Sequence, residues 1–316
     1  MARNKNHRAN TVKLYTMVAA IVLIWSTAYN LMYYTVYSGG FPAQWIPAAR
    51  TILPALAITL YVYARGMKLP KLGDKRWLWY GLMGFFGMTA PFLLLAMGNE
   101  RGVESGISSI LTNGVTPLFT IVLAHFLVKS ERLSWRKSAG FIIGFIGVVF
   151  LFMPENLDLK FIQNWQGQSF ILMVALSYAL AAIVAKRAPD TPASIGAAIM
   201  LITAAITALV IAIPSGMPSG NYSGGVLLAL FVLTVFSTGL SDILYLKVIK
   251  LSGPSMIAKI NYLVPVFALI FGMLFLSEAF SWRSIAAMMI IITGLLIAKA
   301  DNKQKPDESQ AMKKTQ

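Results

Sequence analysis

The stretch "NGVTPLFTIVLAHFLVKSERLSWRKSAGFIIGFIGVVFLF", Asn113–Phe152, comes back later in the chain as "NYLVPVFALIFGMLFLSEAFSWRSIAAMMIIITGLLIA", Asn261–Ala298. Asn113 aligns with Asn261, Pro117 with Pro265 and Phe119 with Phe267. After a one-residue gap, Ser134-Trp135-Arg136 aligns with Ser281-Trp282-Arg283 and Gly147 with Gly294. Shared apolar composition alone does not reproduce an ordered N-x-x-x-P and S-W-R. A weaker echo joins Phe41-Pro42-Ala43 to Thr191-Pro192-Ala193. A repeat of this period decides the architecture before any single element is considered.

Each copy holds two apolar runs of about 20 residues, the length that crosses roughly 30 Å of hydrocarbon. Ten such runs occupy the chain, at 14–37, 42–64, 77–98, 105–128, 135–153, 168–187, 192–213, 226–246, 254–277 and 282–299. The chain is 57% hydrophobic and 12% charged, with a mean hydropathy of +0.67; a soluble domain carries about 25% charged residues. The expected fold is therefore an all-α membrane protein of ten transmembrane helices. The repeat puts five in each half. Five is odd, so the second half crosses in the opposite sense, and the two repeats are inverted, as in many secondary transporters with a midplane site between the halves. The expected organisation is a cytoplasmic N-terminus (1–13), a first repeat (14–153), a periplasmic linker (154–167), a second repeat (168–299) and a cytoplasmic tail (300–316).

The net charge of +15 follows the same plan. Of 27 Lys and Arg residues, 22 fall in the N-terminus, the even-numbered connections and the tail. Three (Arg101, Lys160, Arg283) fall on the other side, and Arg50 and Lys259 lie inside spans. That asymmetry places both termini in the cytoplasm and makes the basic balance a topology signal, not a nucleic-acid footprint. The expected setting is a bacterial inner membrane, crossed many times.

Several chemistries are excluded or lack a signature. With no cysteine there is no disulfide, thiol nucleophile or Cys-held metal. His7 and His125 are too few and too far apart for a metal cluster. H-E-x-x-H, G-x-S-x-G and Walker A motifs are absent, so no cofactor and no ATP coupling are expected. A membrane-embedded enzyme and a passive channel remain the alternatives to a transporter. An enzyme needs clustered acid, base or metal ligands at mid-depth, and of 12 acidic residues only Asp242 lies in a span.

The candidate functional residues are polar groups at membrane depth. Pro117 and Pro265 each remove the hydrogen bond to the carbonyl four residues back, which belongs to Asn113 and Asn261; in lipid such groups need protein or a watery cavity, so these prolines, with Pro54, read as kinks and hinges and the asparagines as polar points of a central pathway. Pro54 does the same for Arg50, a residue suited to attracting a carboxylate by a charge-assisted pair or to pinning neighbouring carbonyls. Trp25, Tyr29 and Tyr33 share a face of the first span, beside Asn30, with Tyr178 as the counterpart in the sixth. Ser105, Ser109, Thr112 and Thr116 share a face of the fourth. Tyr262 follows Asn261. Asp242 and Lys259 lie at similar depth on consecutive antiparallel spans, so an ion pair serving as lock or gate is expected if their faces agree. Gly81, Gly84, Gly87, Gly140, Gly144 and Gly147 read as close-packing faces, with Gly140 and Gly144 also a candidate homodimer contact. Glu131 and Glu278, ending spans four and nine, read as solvated.

Ten spans arranged as 5+5, "IWSTAYN" in the first, "AARTILPAL" in the second, and the P-x-F…E…S-W…G-x-x-G string in both halves together resemble the EamA family of the drug/metabolite transporter superfamily, over residues 14 to 299. The resemblance implies a secondary transporter of small organic metabolites, often an exporter of amino acids or related compounds, working by alternating access. The implied partners are a small-molecule substrate and the lipid bilayer.

Overall fold

The computed structural model describes residues 2–128, 134–152, 159–252, 254–279 and 281–300. Glu131, residues 154–158 of the expected linker and residues 301–316 of the tail lie outside them. Among the described residues every regular element is helical. Eight helices are long and apolar enough to cross a membrane by length and composition.

The helices form columns, numbered here in chain order. Column α1 is Ala2–Tyr33, extended by a wide π turn at Tyr34–Ser38. Column α2 is Ile46–Ala64, and α3 joins Lys75–Gly84 to Ala90–Glu100 through a π turn at Phe85–Thr89. Columns α4 (Ser105–Leu127), α5 (Trp135–Phe152), α6 (Leu159–Ala185) and α7 (Ala193–Ala212) come next. Column α8 joins Gly224–Thr234 to Ser241–Ser252 through a π turn at Val235–Leu240. Columns α9 (Pro254–Leu276) and α10 (Trp282–Ala300) close the chain. The expected spans match these columns to within a few residues, with three exceptions. Column α1 starts at Ala2, so residues 2–13 are helix where a separate N-terminal segment is expected. Column α6 starts at Leu159, so residues 159–167 are helix where a linker is expected, and α8 runs on to Ser252.

Short connections make neighbouring columns antiparallel. The connections around Ser38, Ser105, Ser223 and Glu278 lie on one face, where Gly39 meets Val226, Gly102 meets Tyr37 and Glu278 accepts the Ser105 amide; those around Arg65 and Lys186 lie on the opposite face, where Tyr80 donates to the Pro189 carbonyl. Local chemistry explains several starts. Asp74 caps α3 by accepting the Arg76 amide at 2.9 Å, and Ser223 caps α8 through the Val226 amide at 3.3 Å. The repeated S-W-R is the same device used twice: Ser134 accepts the Lys137 amide and Ser281 the Ser284 amide, each at 3.3 Å. The tryptophans beside them, Trp135 and Trp282, are 77% and 75% exposed, as expected of rings seated at a membrane–water boundary.

Beside an apolar core, polar side chains also turn inward and large apolar ones outward. Ser26, Asn30, Arg50, Thr51, Thr89, Asn99, Ser105 and Thr238 are buried, while Leu53, Leu56, Leu60, Ile142, Phe145, Ile146, Val149, Leu274, Phe275 and Met289 are exposed. Apolar side chains outward and polar groups inward suit a lipid solvent, where buried polar groups must be satisfied within the protein. Column α1 packs on α8 and α9, and α6 packs on α3 and α4; α2 lies against α7, α4 against α9, and α5 against α10. At the α5–α10 contact, Gly140 faces the Gly294 carbonyl and Ala298, and Gly147 faces Ile291 and Ala287. The glycines offered by the sequence to a second copy of the chain are thus used inside one molecule.

Candidate functional site

A cavity of about 480 Å³ opens between the columns, within the range of small-molecule sites. Column α1 supplies Trp25 and Tyr29, α2 supplies Arg50, and α4 supplies Thr112, Asn113 and Thr116. Column α3 contributes Gly87, Met88, Phe92 and Leu95; α6 contributes Tyr178 and Ala182; α9 contributes Ile257 and Asn261. From α8 come Ser237, Thr238, Asp242 and Tyr245. The lining thus draws on both repeated segments and includes both asparagines of the N-x-x-x-P motif.

Arg50 is 5% exposed. Its Nε and Nη2 donate to Thr238 Oγ1 at 3.3 and 3.1 Å, and its guanidinium carbon stands 3.7 Å over the centre of the Phe92 ring. A stacked guanidinium over an aromatic face is a favourable cation–π arrangement. Thr238 accepts from Arg50 because its own hydroxyl donates elsewhere, to the Leu233 carbonyl at 3.1 Å, a bond spanning the π turn. Thr234, at the entry to that turn, ties α8 to α2 by donating to the Ala49 carbonyl at 2.9 Å. No carboxylate among the described residues lies within 4.0 Å of the guanidinium.

Asn113 donates to Tyr29 Oη at 3.0 Å and to the Ser109 carbonyl at 3.0 Å, so the expected α1 and α4 faces meet at the cavity wall. The Trp25 and Tyr245 rings lie 5.9 Å apart, tilted by 39°. The α3 π turn borders the cavity through Gly87 and Met88, and one of its carbonyls, that of Phe86, accepts from Ser177 on α6 at 2.8 Å. Thr89, at its end, donates to the Ala204 carbonyl of α7 at 2.9 Å. Wide turns of this kind recur at functional sites.

The structure corrects several expectations. Asp242 and Lys259 form no ion pair: Asp242 turns into the cavity toward Arg50, and Lys259 is exposed. Equal depth was necessary for pairing but not sufficient. Column α9 turns Ile257 and Asn261 to the cavity, and Lys259, two residues from each, falls about 200° round that helix, on its outer side. Asn30 is not in the cavity wall. It is buried, its amide donating to the Ser26 carbonyl at 3.0 Å and the Ala268 carbonyl at 3.3 Å, its oxygen accepting from Ser105 at 2.9 Å. Tyr33 stacks on Tyr37 with ring centres 4.8 Å apart, above the cavity. Tyr262 packs against the core beside Pro265 and Met288, in a narrow crevice behind Asn113 and Asn261. Glu278 is not simply solvated: Oε1 accepts the Ser105 amide at 2.6 Å and Oε2 the Gly106 amide at 3.3 Å, capping α4. Pro54, Pro117 and Pro265 all lie inside continuous helices.

Ser237, Thr238 and Tyr245 join the wall without having been singled out for it. The α3 turn carried a faint signal, since Pro91 cannot donate to the Gly87 carbonyl. In α8 the cue was the small polar run Ser237-Thr238-Gly239, which sequence alone does not distinguish from a packing face.

An all-helical chain with apolar groups outward and a polar, aromatic cavity between its columns is a multi-pass membrane protein of the transporter class. The chain matches the EamA-like transporter family over residues 12–153 and again over 165–299, and it belongs to that family. It is 25% identical over 286 residues to the inner membrane transporter YedA of Escherichia coli (strain K12), covering 90% of each chain. It is 24% identical over 291 residues to the transporter YoaV of Bacillus subtilis (strain 168), covering 90% of this chain and 96% of that one. A shorter match, 27% over 107 residues and 34% of this chain, joins it to the S-adenosylmethionine uptake transporter of Rickettsia prowazekii (strain Madrid E), over 32% of that protein. A solved structure, described as the crystal structure of a protein, superposes with a TM-score of 0.61 over 93% of this chain and 99% of its own, at 20% identity, a likeness of fold alone.

Proposed function

We propose that the protein is a secondary active transporter of a bacterial inner membrane that moves a small polar metabolite, with an amino acid or a close relative of one as the leading substrate and export as the direction. The observation that carries this reading is the cavity: a buried guanidinium, aromatic rings and two amides facing one space between the columns of a predominantly apolar chain. Transport proceeds by alternating access of two inverted five-helix halves. Support comes from the two family-matched segments and from packing in which α1 on α9 has its counterpart in α6 on α4, and α3 on α6 in α8 on α1. Both termini lie in the cytoplasm. The relative named for S-adenosylmethionine uptake, a compound with an α-amino acid end, fits the same substrate class.

The test is counterflow in proteoliposomes loaded in turn with each of the twenty L-amino acids. Trans-stimulated uptake of at least one is expected, and Trp25→Ala, Asn113→Ala and Asn261→Ala should each reduce it at least fivefold with melting temperature near wild type. Flux with no trans-stimulation identifies a channel; chemical conversion of the loaded compound identifies an enzyme.

A further inference from the structure

We propose that Asp242 is the cation-binding pole of the cavity and holds the ammonium end of a zwitterion whose carboxylate lies on Arg50. Arg50 and Asp242 are the only Asp, Glu, Lys or Arg residues among those lining the cavity. Neither has an ion-pair partner within 4.0 Å among the described residues, and Asp242 accepts none of the side-chain or turn hydrogen bonds seen there. Arg50 is nonetheless fixed in place, stacked on Phe92 and hydrogen-bonded to Thr238. Thr238 precedes Asp242 by four residues on α8, so the two poles are set roughly 6 Å apart along that column. Arg50 is buried and Asp242 half-buried, and charges withdrawn from water demand partners. A lone anion meets Arg50 but is opposed by Asp242, a lone cation meets Asp242 but is opposed by Arg50, and a neutral compound leaves both unpaired. A zwitterion answers both. Trp25 and Tyr245, the latter three residues beyond Asp242, place aromatic faces at the cationic end.

This assignment builds on the transporter reading, and the experiment separates the two. Binding to purified protein is measured for each L-amino acid, its N-acetyl form (no ammonium) and its amide (no carboxylate). For an amino acid that binds, the wild type should prefer it to the N-acetyl form at least tenfold. In Asp242→Asn that preference should fall below threefold while the preference over the amide persists. Asp242→Glu should restore it, which guards against a general folding defect. A tenfold preference surviving in Asp242→Asn overturns the assignment and leaves the transporter reading intact. Binding of no amino acid removes the amino-acid reading and the pole together.

A separate set of contacts carries a second inference. The geometry points to Glu278 as the latch that holds the Ser105 face of the cavity shut. Glu278 closes on the two amides opening α4, and Ser105 Oγ in turn donates to Asn30 on α1. Asn30 and Ser26 bond the α9 carbonyls of Ala268 and Val264 at 3.3 and 3.0 Å. Columns α1, α4 and α9 are thereby fastened together on one face. The same three columns line the cavity below, through Tyr29, Asn113 and Asn261. Toward the opposite face the lining reaches Ala182 and Ile257, each three residues from its column end and so about 4.5 Å away along the axis. A carboxylate on a helix N-terminus is a charge-assisted contact, strong enough to hold and simple to release when a single side chain swings away.

The cysteine-free chain supplies the test. Thr116→Cys, a reporter in the cavity wall, is exposed in cells and in inverted vesicles to a charged, impermeant methanethiosulfonate. Reaction should be slow from the Ser105 face and fast from the other. Adding Glu278→Gln should speed reaction from the Ser105 face at least tenfold, and Ser105→Ala, which removes the link to Asn30, should speed it as well. Unchanged rates in both variants overturn the latch. Fast reaction from the Ser105 face already in the Thr116→Cys parent also overturns it.

Discussion

At the scale of single residues, Arg50 shows what its neighbours can and cannot supply. A buried cation held by one hydroxyl and one ring is poorly compensated, because desolvation of an ion costs several kcal/mol and neither partner is charged. Replacement by a similar apolar chain should therefore leave folding unharmed. Arg50→Met is expected to melt at or above the wild-type temperature while counterflow falls at least tenfold; a structural pin would show the reverse order of damage. Arg50→Lys keeps the charge but loses the planar stacking on Phe92 and the two-nitrogen contact to Thr238, and counterflow should fall with it. Glu104, in the connection before α4, gives a pH prediction. Burial, and secondly the charge of Glu278, raise its pKa above the ordinary carboxylate value. The folded chain then holds that proton more tightly than the unfolded chain, so stability is lost as pH rises from the ordinary value through the raised one. Glu104→Gln should melt higher than wild type at pH 8, and the gap should close as the pH is lowered below about 4.3. What sequence revealed at this scale was residue type and depth. Arg50, Asn113, Asn261, Trp25, Tyr29 and Tyr178 were legible as cavity candidates because a polar group at membrane depth must face something polar. Asn30 was equally polar and faces two backbone carbonyls, a difference that only the neighbouring helix decides.

At the scale of elements, most of the apolar runs were legible to within a few residues because hydrocarbon thickness sets their length; the starts of α1 and α6 and the end of α8, where helix runs on past the apolar stretch, were not. The π turns of α3 and α8 were not, since a single inserted residue leaves hydropathy unchanged; nor was the face that α9 turns to the cavity, which takes Ile257 and Asn261 and leaves Lys259 outside. The glycine faces were legible as close packing but not as to partner. Gly140 stands against the Gly294 carbonyl and Ala298, so an added methyl group has no room. Gly140→Ala and Gly294→Ala are each expected to cost about 1–3 kcal/mol by overpacking, read as a lower melting temperature in detergent. The mass of the purified particle should not change; a drop from dimer to monomer would place these glycines between molecules. The matched caps offer a gentler probe of the same pair. Ser134→Ala and Ser281→Ala should each cost about 1 kcal/mol, and by similar amounts, because each caps the start of its helix with the same contact.

At the scale of the whole molecule, one repeated stretch governs the rest. The S-W-R of the first copy starts α5 and that of the second starts α10. If the halves are inverted, these two starts lie on opposite faces, and Trp135 and Trp282 sit at the two boundaries of the bilayer. The lysines and arginines then choose which face is which. The connection at 65–76 holds Arg65, Lys68, Lys71, Lys75 and Arg76, whereas those at 39–42 and 216–223 hold none. Positive residues in short connections stay in the cytoplasm during insertion, so the Ser38 and Ser223 connections should be external and the Lys68 connection internal. In intact cells, cysteines placed singly at Ser38 and Ser223 should react with an impermeant maleimide, and one at Lys68 should react only after the membrane is opened. Ser38 ends the first column of its half, and Ser223 comes after the second column of its own. Halves that run the same way would put these two positions on opposite faces, and inverted halves put them on one. Reaction at Ser38 without reaction at Ser223 would therefore mean that the halves run parallel, and a cavity shared between mirrored α4 and α9 would lose its structural basis. Reaction at Lys68 in place of the other two would preserve the inverted pair and turn the molecule over, making the Glu278 closure a cytoplasmic one.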